Sequence, residues 1–419
     1  MPEPCGAPVP RTATMASVDR RRAPLLTPRF ALIVGSGFAY FLALGTVLPA
    51  VPQYVKHRLG GGDVSVGIAV GVLFVGAVLL RPYVGRLGDR FGRRILIVSG
   101  AAVVAVSVLL YGAVESLPFL IGARILTGLG EAAFFVGAAT MVTDLAPVER
   151  RGEAISYWSV AVYGGLAFGP VLGEQLIDAG GYSAVWIAAS ALAAVAAMLG
   201  LFTRDVERPV VVGAGGHGHL LNRAAIGPGT VLFSGLIALA AFTAFVPLYV
   251  DDVGLASADV VFLLYGGLVL VVRIFGARIP DTLGGRRSGV LALAATTAGM
   301  GVMALWGTAA GLLVGTVFFA AGASLLYPAL LLLALGGAPE SERGSVVGTF
   351  SSFFDLSQGL GSLIVGLVAA GAGYRGAFGA GAVFAAVGCV GLAVHTGRRR
   401  ARRARSSEMG VLATEHPAP

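Results

Sequence analysis

The sequence predicts an all-α membrane protein with twelve transmembrane helices in two pseudo-symmetric six-helix halves. Three observations predict this fold class: an apolar composition, twelve long apolar runs, and a repeat that relates the two halves of the chain. Of the 419 residues, 56% are hydrophobic and only 12% are charged, which is about half the charged fraction of a soluble globular protein. So few charges cannot cover the surface of a soluble fold of this size. The composition therefore excludes an ordinary soluble enzyme and, equally, a disordered chain.

Twelve apolar runs are each long enough to cross a hydrocarbon core as a helix, which takes about 20 residues. They lack the short alternating pattern of membrane β-barrel strands. The runs lie at residues 30–52, 64–86, 95–114, 118–143, 153–176, 182–202, 228–250, 258–280, 289–308, 311–336, 344–371 and 374–395.

The longest polar segment divides the runs six and six. The predicted organisation is a tail (1–29), a first six-helix bundle (30–202), a central loop (203–227), a second bundle (228–395) and a basic tail (396–419). With both tails in the cytoplasm, 24 of the 30 Lys and Arg residues are cytoplasmic and three are external. Because cytoplasmic Lys and Arg set the orientation of membrane proteins, both termini are predicted to face the cytoplasm of a cell (inner) membrane. The net charge of +8 is thereby assigned to topology and not to nucleic-acid binding.

An offset of 192 residues relates the two halves. It takes Arg81 to Arg273, Asp89 to Asp281, Gly169 to Gly361, and Gly181-Tyr182 to Gly373-Tyr374. Two halves in parallel repeat are a transporter architecture, in which the substrate site lies at the interface of the halves near the membrane midplane.

The loop after the second apolar run combines acidic and basic residues. It reads Gly85-Arg86-Leu87-Gly88-Asp89-Arg90-Phe91-Gly92-Arg93-Arg94, and a degenerate copy keeps Asp281, Gly284 and Arg286. Basic residues serve topology, but the acid Asp89 does not. A carboxylate at a helix end can pair with arginines or face a neighbouring helix N-terminus. The loop is therefore predicted to hold two helix ends together in one conformational state and to release them in another.

This loop resembles the signature of the major facilitator superfamily, G-x-L-x-D-R-x-G-R-R. Arg124, Gly128 and Gly130 are similar to the helix-4 pattern of that family. The residues Gly165, Gly169, Pro170 and Gly173 resemble its helix-5 pattern, found chiefly in exporters that exchange substrate for protons, with Glu174 in place of a further glycine. The resemblance covers residues 30–395. Within the superfamily, the sequence is most similar to bacterial drug-efflux and sugar-efflux permeases. It implies alternating access between the halves and a role for Arg124 in proton transfer.

Charged residues within apolar helices are costly and by default indicate function. Arg124 and Glu131 lie seven residues apart, on one helical face and about 10 Å apart along the axis. They form either a structural buried pair or a proton site in which Arg124 tunes Glu131. Asp355 lies on a polar stripe with Ser351, Gln358 and Ser362, and is predicted to serve coupling or the binding of a cationic substrate.

Two further arginines and a set of aromatic residues complete the candidates. Arg81 and Arg273 lie near the cytoplasmic ends of their helices, where snorkelling to the interface is expected and a gating contact is the alternative. Helical aromatics either pack or line an apolar cavity. The predicted cavity residues are Tyr40, Phe135, Tyr163, Phe245, Ser351, Phe354 and Gln358.

Several chemistries have no motif in the sequence. A Walker A motif, H-E-x-x-H, C-x-x-C and G-x-S-x-G are all absent, so neither catalysis nor a cofactor is predicted. His217 and His219 are interpreted as loop residues and not as a metal site.

The predicted function is a secondary transporter, a proton-coupled antiporter that exports a small organic compound, with an amphipathic or cationic toxic compound as the expected substrate. Its predicted partners are that substrate, protons and the lipid bilayer, and the chain is expected to act as a monomer. The alternatives are a sugar or metabolite permease, working by efflux or uptake, and a non-transporting membrane sensor or enzyme.

Overall fold

The computed structural model describes residues 25–147, 150–205, 222–276, 279–339 and 342–415, and these residues form helices without strands. The helices are α1 (Pro28–Gln53), α2 (Asp63–Phe91), α3 (Arg93–Leu110), α4 (Leu117–Leu145), α5 (Arg151–Leu201), α6 (Arg223–Asp252), α7 (Asp259–Phe275), α8 (Ile279–Leu283), α9 (Gly285–Leu305), α10 (Ala309–Leu335) and α11 (Arg343–Glu415). A π-helical turn, Tyr54–Arg58, extends α1, and a 3₁₀ turn, Tyr111–Ala113, follows α3.

Nine helices in this part of the chain are long and apolar enough to cross a membrane. Two of these spans, Glu153–Leu201 and Ser345–Val394, have 49 and 50 residues, about twice the length of one crossing. Non-helical backbone at Gly180 and Gly181 divides α5, and Gly373 divides α11. When each is divided there, and α7 with its 17 residues is included, the described chain contains twelve apolar helical segments.

Helix starts coincide with side chains that satisfy free backbone N–H groups. Thr27 Oγ1 accepts a hydrogen bond of 3.2 Å from Phe30 N at the start of α1. Asn222 Oδ1 accepts one of 3.0 Å from Ala224 N at the start of α6. The latter cap starts α6 at Arg223, five residues before the start predicted from the apolar run, because a cap and not hydropathy fixes the first turn.

The internal repeat is visible in the backbone. Six glycines of the described chain have positive φ, and they form three pairs across the halves. The pairs are Gly60 and Gly254 (64° and 73°), Gly92 and Gly284 (91° and 78°), and Gly181 and Gly373 (66° and 68°). Because left-handed backbone strongly favours glycine, the repeated residues mark turns of the same conformation in both halves.

The two halves pack internally first and then against each other. In the first half α1 lies along α5, and α4 packs on α2 and α3; in the second half α6 lies along α11, and α9 packs on α10. Between the halves, α2 packs on α11 and α5 packs on α7. These two helix pairs are related by the repeat and bring the candidate residues together.

At the C-terminus, α11 continues as helix to Glu415, through most of the segment predicted as a basic tail. His217 and His219 of the central loop lie outside the described residues.

Candidate functional site

An arginine of the first half and an aspartate of the second form an ion pair where the halves meet. Arg81 lies in α2, and its Nε is 2.8 Å from Oδ2 of Asp355 in α11. Glu131 in α4 is the second carboxylate near this arginine, with Oε2 3.6 Å from Arg81 Nη2. One guanidinium therefore faces two carboxylates, one from its own half and one from the opposite half.

The ion cluster formed by Arg81, Glu131 and Asp355 is poorly solvated. The exposed fractions of the three side chains are 17%, 11% and 1%. Both carboxylate oxygens of Asp355, Oε2 of Glu131 and Nε of Arg81 are buried without a hydrogen bond. The 2.8 Å contact between Arg81 Nε and Asp355 Oδ2 is thus an ion pair without a hydrogen bond, because the N–H of Nε is not directed at this oxygen. Buried charges without hydrogen bonds are costly, and with all three groups ionised the cluster has one negative charge in excess, which a single proton neutralises.

Aromatic and hydroxyl groups surround this cluster. The guanidinium carbon of Arg81 lies 5.4 Å from the ring centroid of Phe135. On the other side, the hydroxyl of Tyr327 in α10 is 3.1 Å from Ser351 Oγ, and its ring is 6.3 Å from that of Phe354. Phe135, Ser351 and Phe354 all retain partial exposure. These three predicted cavity residues therefore lie beside the ion cluster, between the halves.

A second contact between the halves involves the repeat partner of Arg81. The guanidinium carbon of Arg273 in α7 lies 3.4 Å from the ring centroid of Tyr163 in α5. Its Nε is buried without a hydrogen-bond partner. The expectation that Arg81 and Arg273 snorkel to the interface is wrong, because each side chain crosses to the opposite half instead.

Arg124 does not pair with Glu131. Its Nε donates to Ala69 O at 2.8 Å and its Nη2 to Val70 O at 3.1 Å, both in α2, and the residue is 5% exposed. The backbone carbonyls of α2 take up its donors, so Arg124 joins α4 to α2. The arginine beside Glu131 is Arg81.

Three predicted cavity residues are instead packed inside one half, which contradicts a lining role in this conformation. Tyr40 is fully buried and stacks on Phe134, with ring centroids 3.7 Å apart. Phe245 is fully buried and stacks on Tyr374 at 5.5 Å. Gln358 is 3% exposed and its Nε2 donates to Leu236 O at 3.1 Å, joining α11 to α6.

Comparison with known proteins gives the family. The model of the Major Facilitator Superfamily matches residues 33–334 and 281–416. The chain belongs to this superfamily. It is 30% identical to an uncharacterized MFS-type transporter of Salmonella typhimurium over 358 residues, which are 81% of this chain and 89% of that protein. It is also 30% identical to an uncharacterized MFS-type transporter of Pseudomonas aeruginosa PAO1 over 400 residues, which are 90% and 95% of the two chains.

Solved structures have the same fold. The nucleoside transporter NupG aligns with a TM-score of 0.70 at 12% identity, over 87% of this chain and 98% of that one. A bacterial homolog of the human lysosomal transporter Spinster, solved in an inward-facing and occupied conformation, aligns with a TM-score of 0.72 at 16% identity, over 88% and 96%. The predicted fold class and family are therefore confirmed. This superfamily member is a multi-pass membrane transporter of small molecules, not an enzyme.

The superfamily signature loop is held by a residue that the sequence did not single out. Asp205, just after α5, accepts hydrogen bonds from the backbone N–H groups of Arg93 and Arg94 at 2.8 and 2.9 Å. These are the first N–H groups of α3, so the carboxylate caps this helix and complements its dipole. Gly92 precedes them with a φ of 91°, and a side chain there would collide with Asp205.

Other loop residues have separate contacts. Arg93 also lies 4.0 Å from Asp144 at the end of α4. The exposed Arg90 stacks on its neighbour Phe91. In the second half, Gly284 connects α8 to α9, and Arg286 Nη2 donates to Ala393 O at 2.9 Å. Gly85 and Asp89 lie in α2 and Asp281 in α8, but the surroundings of these residues are not described, so the gating role of Asp89 stays a prediction.

The helix-5 motif forms the contact between α5 and α1. A Cβ at Gly45 in α1 would lie 2.9 Å from Gly165 O, 3.0 Å from Gly169 Cα and 3.3 Å from Pro170 Cδ. A Cβ on Gly173 would lie 3.2 Å from Thr46 C and closer still to Thr46 O. The motif thus lets two backbones approach within the first half, as small residues do in membrane proteins.

Glu174, where the family pattern has a glycine, is 4% exposed and accepts a 2.9 Å hydrogen bond from Gln53 Nε2. No role was predicted for Glu174 or Asp205, and no partner was predicted for Arg81. Arg81 and Asp205 are charged residues near helix ends, and this position could have marked them as candidates. Their partners are distant in sequence, so only the packing of the helices identifies them.

Proposed function

We propose that this superfamily transporter exports a small organic compound in exchange for protons, by alternating access between its halves. The observation that carries the proposal is the ion pair between Arg81 and Asp355, which joins two halves that must separate during transport. An intramembrane ion pair of this kind is expensive and by default functional.

Asp355 is the proposed proton carrier. A proton on Asp355 removes the charge that attracts Arg81 from the opposite half. Arg81 then keeps a partner in its own half, since Glu131 already lies 3.6 Å away. Protonation thus weakens the attraction between the halves without leaving the guanidinium unpaired, and loss of the proton restores it. The proton and the conformational change are coupled through one arginine.

Export in exchange for protons is supported by the resemblance of Gly165, Gly169, Pro170 and Gly173 to the pattern of proton-exchanging exporters. The proposed orientation places both termini in the cytoplasm, as the distribution of Lys and Arg favours. On this orientation α2 begins at the external side with Asp63.

The hydrogen bonds of α11 disfavour a sugar as the substrate. Sugar recognition needs many free donors and acceptors. Gln358 donates to Leu236 O, Ser362 Oγ donates to Gln358 O at 2.7 Å, and Ser351 is bonded to Tyr327. The hydroxyl and amide groups of the polar stripe are therefore already bonded within the second half, and Asp355 pairs with Arg81.

The test begins with a strain that expresses the transporter and a panel of toxic compounds, to identify compounds whose accumulation it lowers. One such compound is then assayed in proteoliposomes with an imposed pH gradient. The wild type should accelerate movement of the compound in the direction opposite to the proton flow and acidify the vesicle side that receives protons. Asp355→Asn should abolish the proton flux while the protein still inserts, and Glu131→Gln should reduce it. Compound transport that ignores the pH gradient, and proceeds equally in Asp355→Asn, would refute proton exchange.

A further inference from the structure

The interface between the halves contains a positive charge that no described carboxylate compensates. Arg81 faces Glu131 and Asp355. Arg273 forms no ion pair with any described residue, and its Nε is buried without an acceptor. We propose that Arg273 binds an anionic group of the transported compound, a carboxylate or a phosphate ester on an aromatic or otherwise flat molecule.

The repeat explains why only one of the two arginines is neutralised. Residue 355 is an aspartate, but its equivalent in the first half is Tyr163. Likewise, the residue 192 positions after Glu131 is Ala323. Arg273 therefore has an aromatic ring and a methyl group at the two positions where Arg81 has acids. The second half thus has the equivalent arginine, Arg273, but the residues equivalent to Asp355 and Glu131 are uncharged.

The contact with Tyr163 satisfies no N–H donor of Arg273, and its Nε has no acceptor among the described residues. The guanidinium carbon lies 3.4 Å from the ring centroid, so the ring covers a face of the cation. The N–H donors of a guanidinium lie in its plane and form a fork that fits two oxygens of a carboxylate or phosphate. Stacking thus orients the fork but satisfies none of its donors.

Tyrosines extend the site toward the ion cluster. Tyr265 lies in α7, the helix that carries Arg273, and its ring stacks on Phe319 with ring centroids 5.4 Å apart. The hydroxyl of Tyr327 in α10 is 3.1 Å from Oγ of Ser351, which lies one turn before Asp355 in α11. Tyr163 and these two tyrosines retain partial exposure although they lie within helices. We call Arg273, Tyr163, Tyr265 and Tyr327 the anion site; it offers partly exposed phenol rings beside one cation.

The inference rests on the proposed function only in placing the substrate between the halves. It replaces the cationic substrate expected from the sequence, because Asp355 and Glu131 already share Arg81 and a cation there would have to displace it. An anion at Arg273 meets no such competitor.

The test measures the thermal unfolding midpoint of the purified full-length protein in detergent with four probes that share a phenyl ring, at matched ionic strength. Benzoate and phenyl phosphate carry the anionic groups, benzamide is the neutral match of benzoate, and benzylammonium is the cation. Benzoate or phenyl phosphate should raise the midpoint, and the stronger of the two identifies a carboxylate or a phosphate site. Benzamide and benzylammonium should not. No shift with either anion, or a larger shift with benzylammonium, overturns the proposal.

Variants separate binding from a structural role. Arg273→Gln should weaken the anion response at least about tenfold, the cost of a lost charged hydrogen bond, and should be no less stable than wild type without a probe. Arg58→Gln removes an exposed cation elsewhere and should respond as wild type does. A destabilised Arg273→Gln protein, or one that keeps the response, contradicts the anion site. Since these readouts involve no proton flux, they remain decisive even if proton exchange is refuted.

Discussion

Tyr163 and Asp355 occupy equivalent positions in the two halves, 192 residues apart, and each contacts the arginine that comes from the opposite half. The pair Arg81–Asp355 and the pair Arg273–Tyr163 are thus the same contact, made once by charge and once by an aromatic face. The interface between the halves therefore has one contact that depends on a titratable carboxylate, Arg81–Asp355, and one that contains no carboxylate, Arg273–Tyr163.

A substitution that gives Arg273 a carboxylate partner, and so makes the two contacts alike, should slow transport. Tyr163→Asp gives Arg273 a carboxylate in the position where Arg81 has Asp355. A second ion pair would then hold the halves together in this conformation, so we expect a higher unfolding midpoint and transport reduced several-fold. The anion response of the purified protein should also fall, because the new carboxylate occupies Arg273.

The matched control is Tyr163→Phe, which keeps the ring over Arg273 and removes only the hydroxyl. It should retain most of the transport rate and the unfolding midpoint. Equal transport in Tyr163→Asp and in the wild type would show that the second contact does not limit the separation of the halves.

The contact between α1 and α5 should tolerate no added methyl group at the helix-5 motif. A Cβ on Gly169 would lie 2.5 Å from Gly45 Cα and 2.7 Å from Thr46 N. Because backbone cannot move aside as a flexible side chain can, Gly169→Ala should cost about 1–3 kcal/mol, measured as a lower unfolding midpoint. Gly164→Ala is the control in the same helix: its Cβ would lie 3.4 Å from Phe38 Cε2, an ordinary contact. A Gly169→Ala protein as stable as Gly164→Ala would mean that the helices pack more loosely.

The cap on α3 should contribute measurably to stability. Asp205→Ala removes the acceptor for the N–H groups of Arg93 and Arg94 and should cost about 1 kcal/mol. Asp205→Asn keeps a capping oxygen but removes the charge, and should lose less. If both variants match wild type in thermal unfolding, the carboxylate does not hold the signature loop.

The sequence predicts the twelve segments and their division into halves because hydropathy and glycine-dependent turns act locally. It does not predict which charges meet. Arg124 and Glu131 share a helical face, yet Arg124 turns to the carbonyls of Ala69 and Val70 while Glu131 meets Arg81. That choice depends on how α4 packs on α2, which periodicity within one helix cannot give. The same holds for Tyr40, whose burial against Phe134 follows from the packing of α1 on α4.

The closure of the halves at the start of α2 should depend on the absence of a side chain at Gly67. A Cβ there would lie 3.1 Å from Gly366 Cα in α11 and closer still to Ser362 O. Gly67→Val should therefore force α2 away from α11 at this end, with a cost of about 1–3 kcal/mol. Gly62→Val is the control, because no atom lies within 4 Å of a Cβ at that position.

Lys56 reports this opening directly, because it is the only lysine in the sequence. Its Nζ is 2.6 Å from Asp63 Oδ1 and 5.9 Å from the ring centroid of Tyr374 in the opposite half. When α2 leaves α11, the amine loses the ring that covers it, so an amine-reactive reagent should label it several-fold faster in Gly67→Val than in wild type. The Lys56→Arg variant gives the background from the terminal amine. Gly62→Val should label at the wild-type rate, and if Gly67→Val does so too, the contact between Gly67 and Gly366 does not control access to this end of the interface.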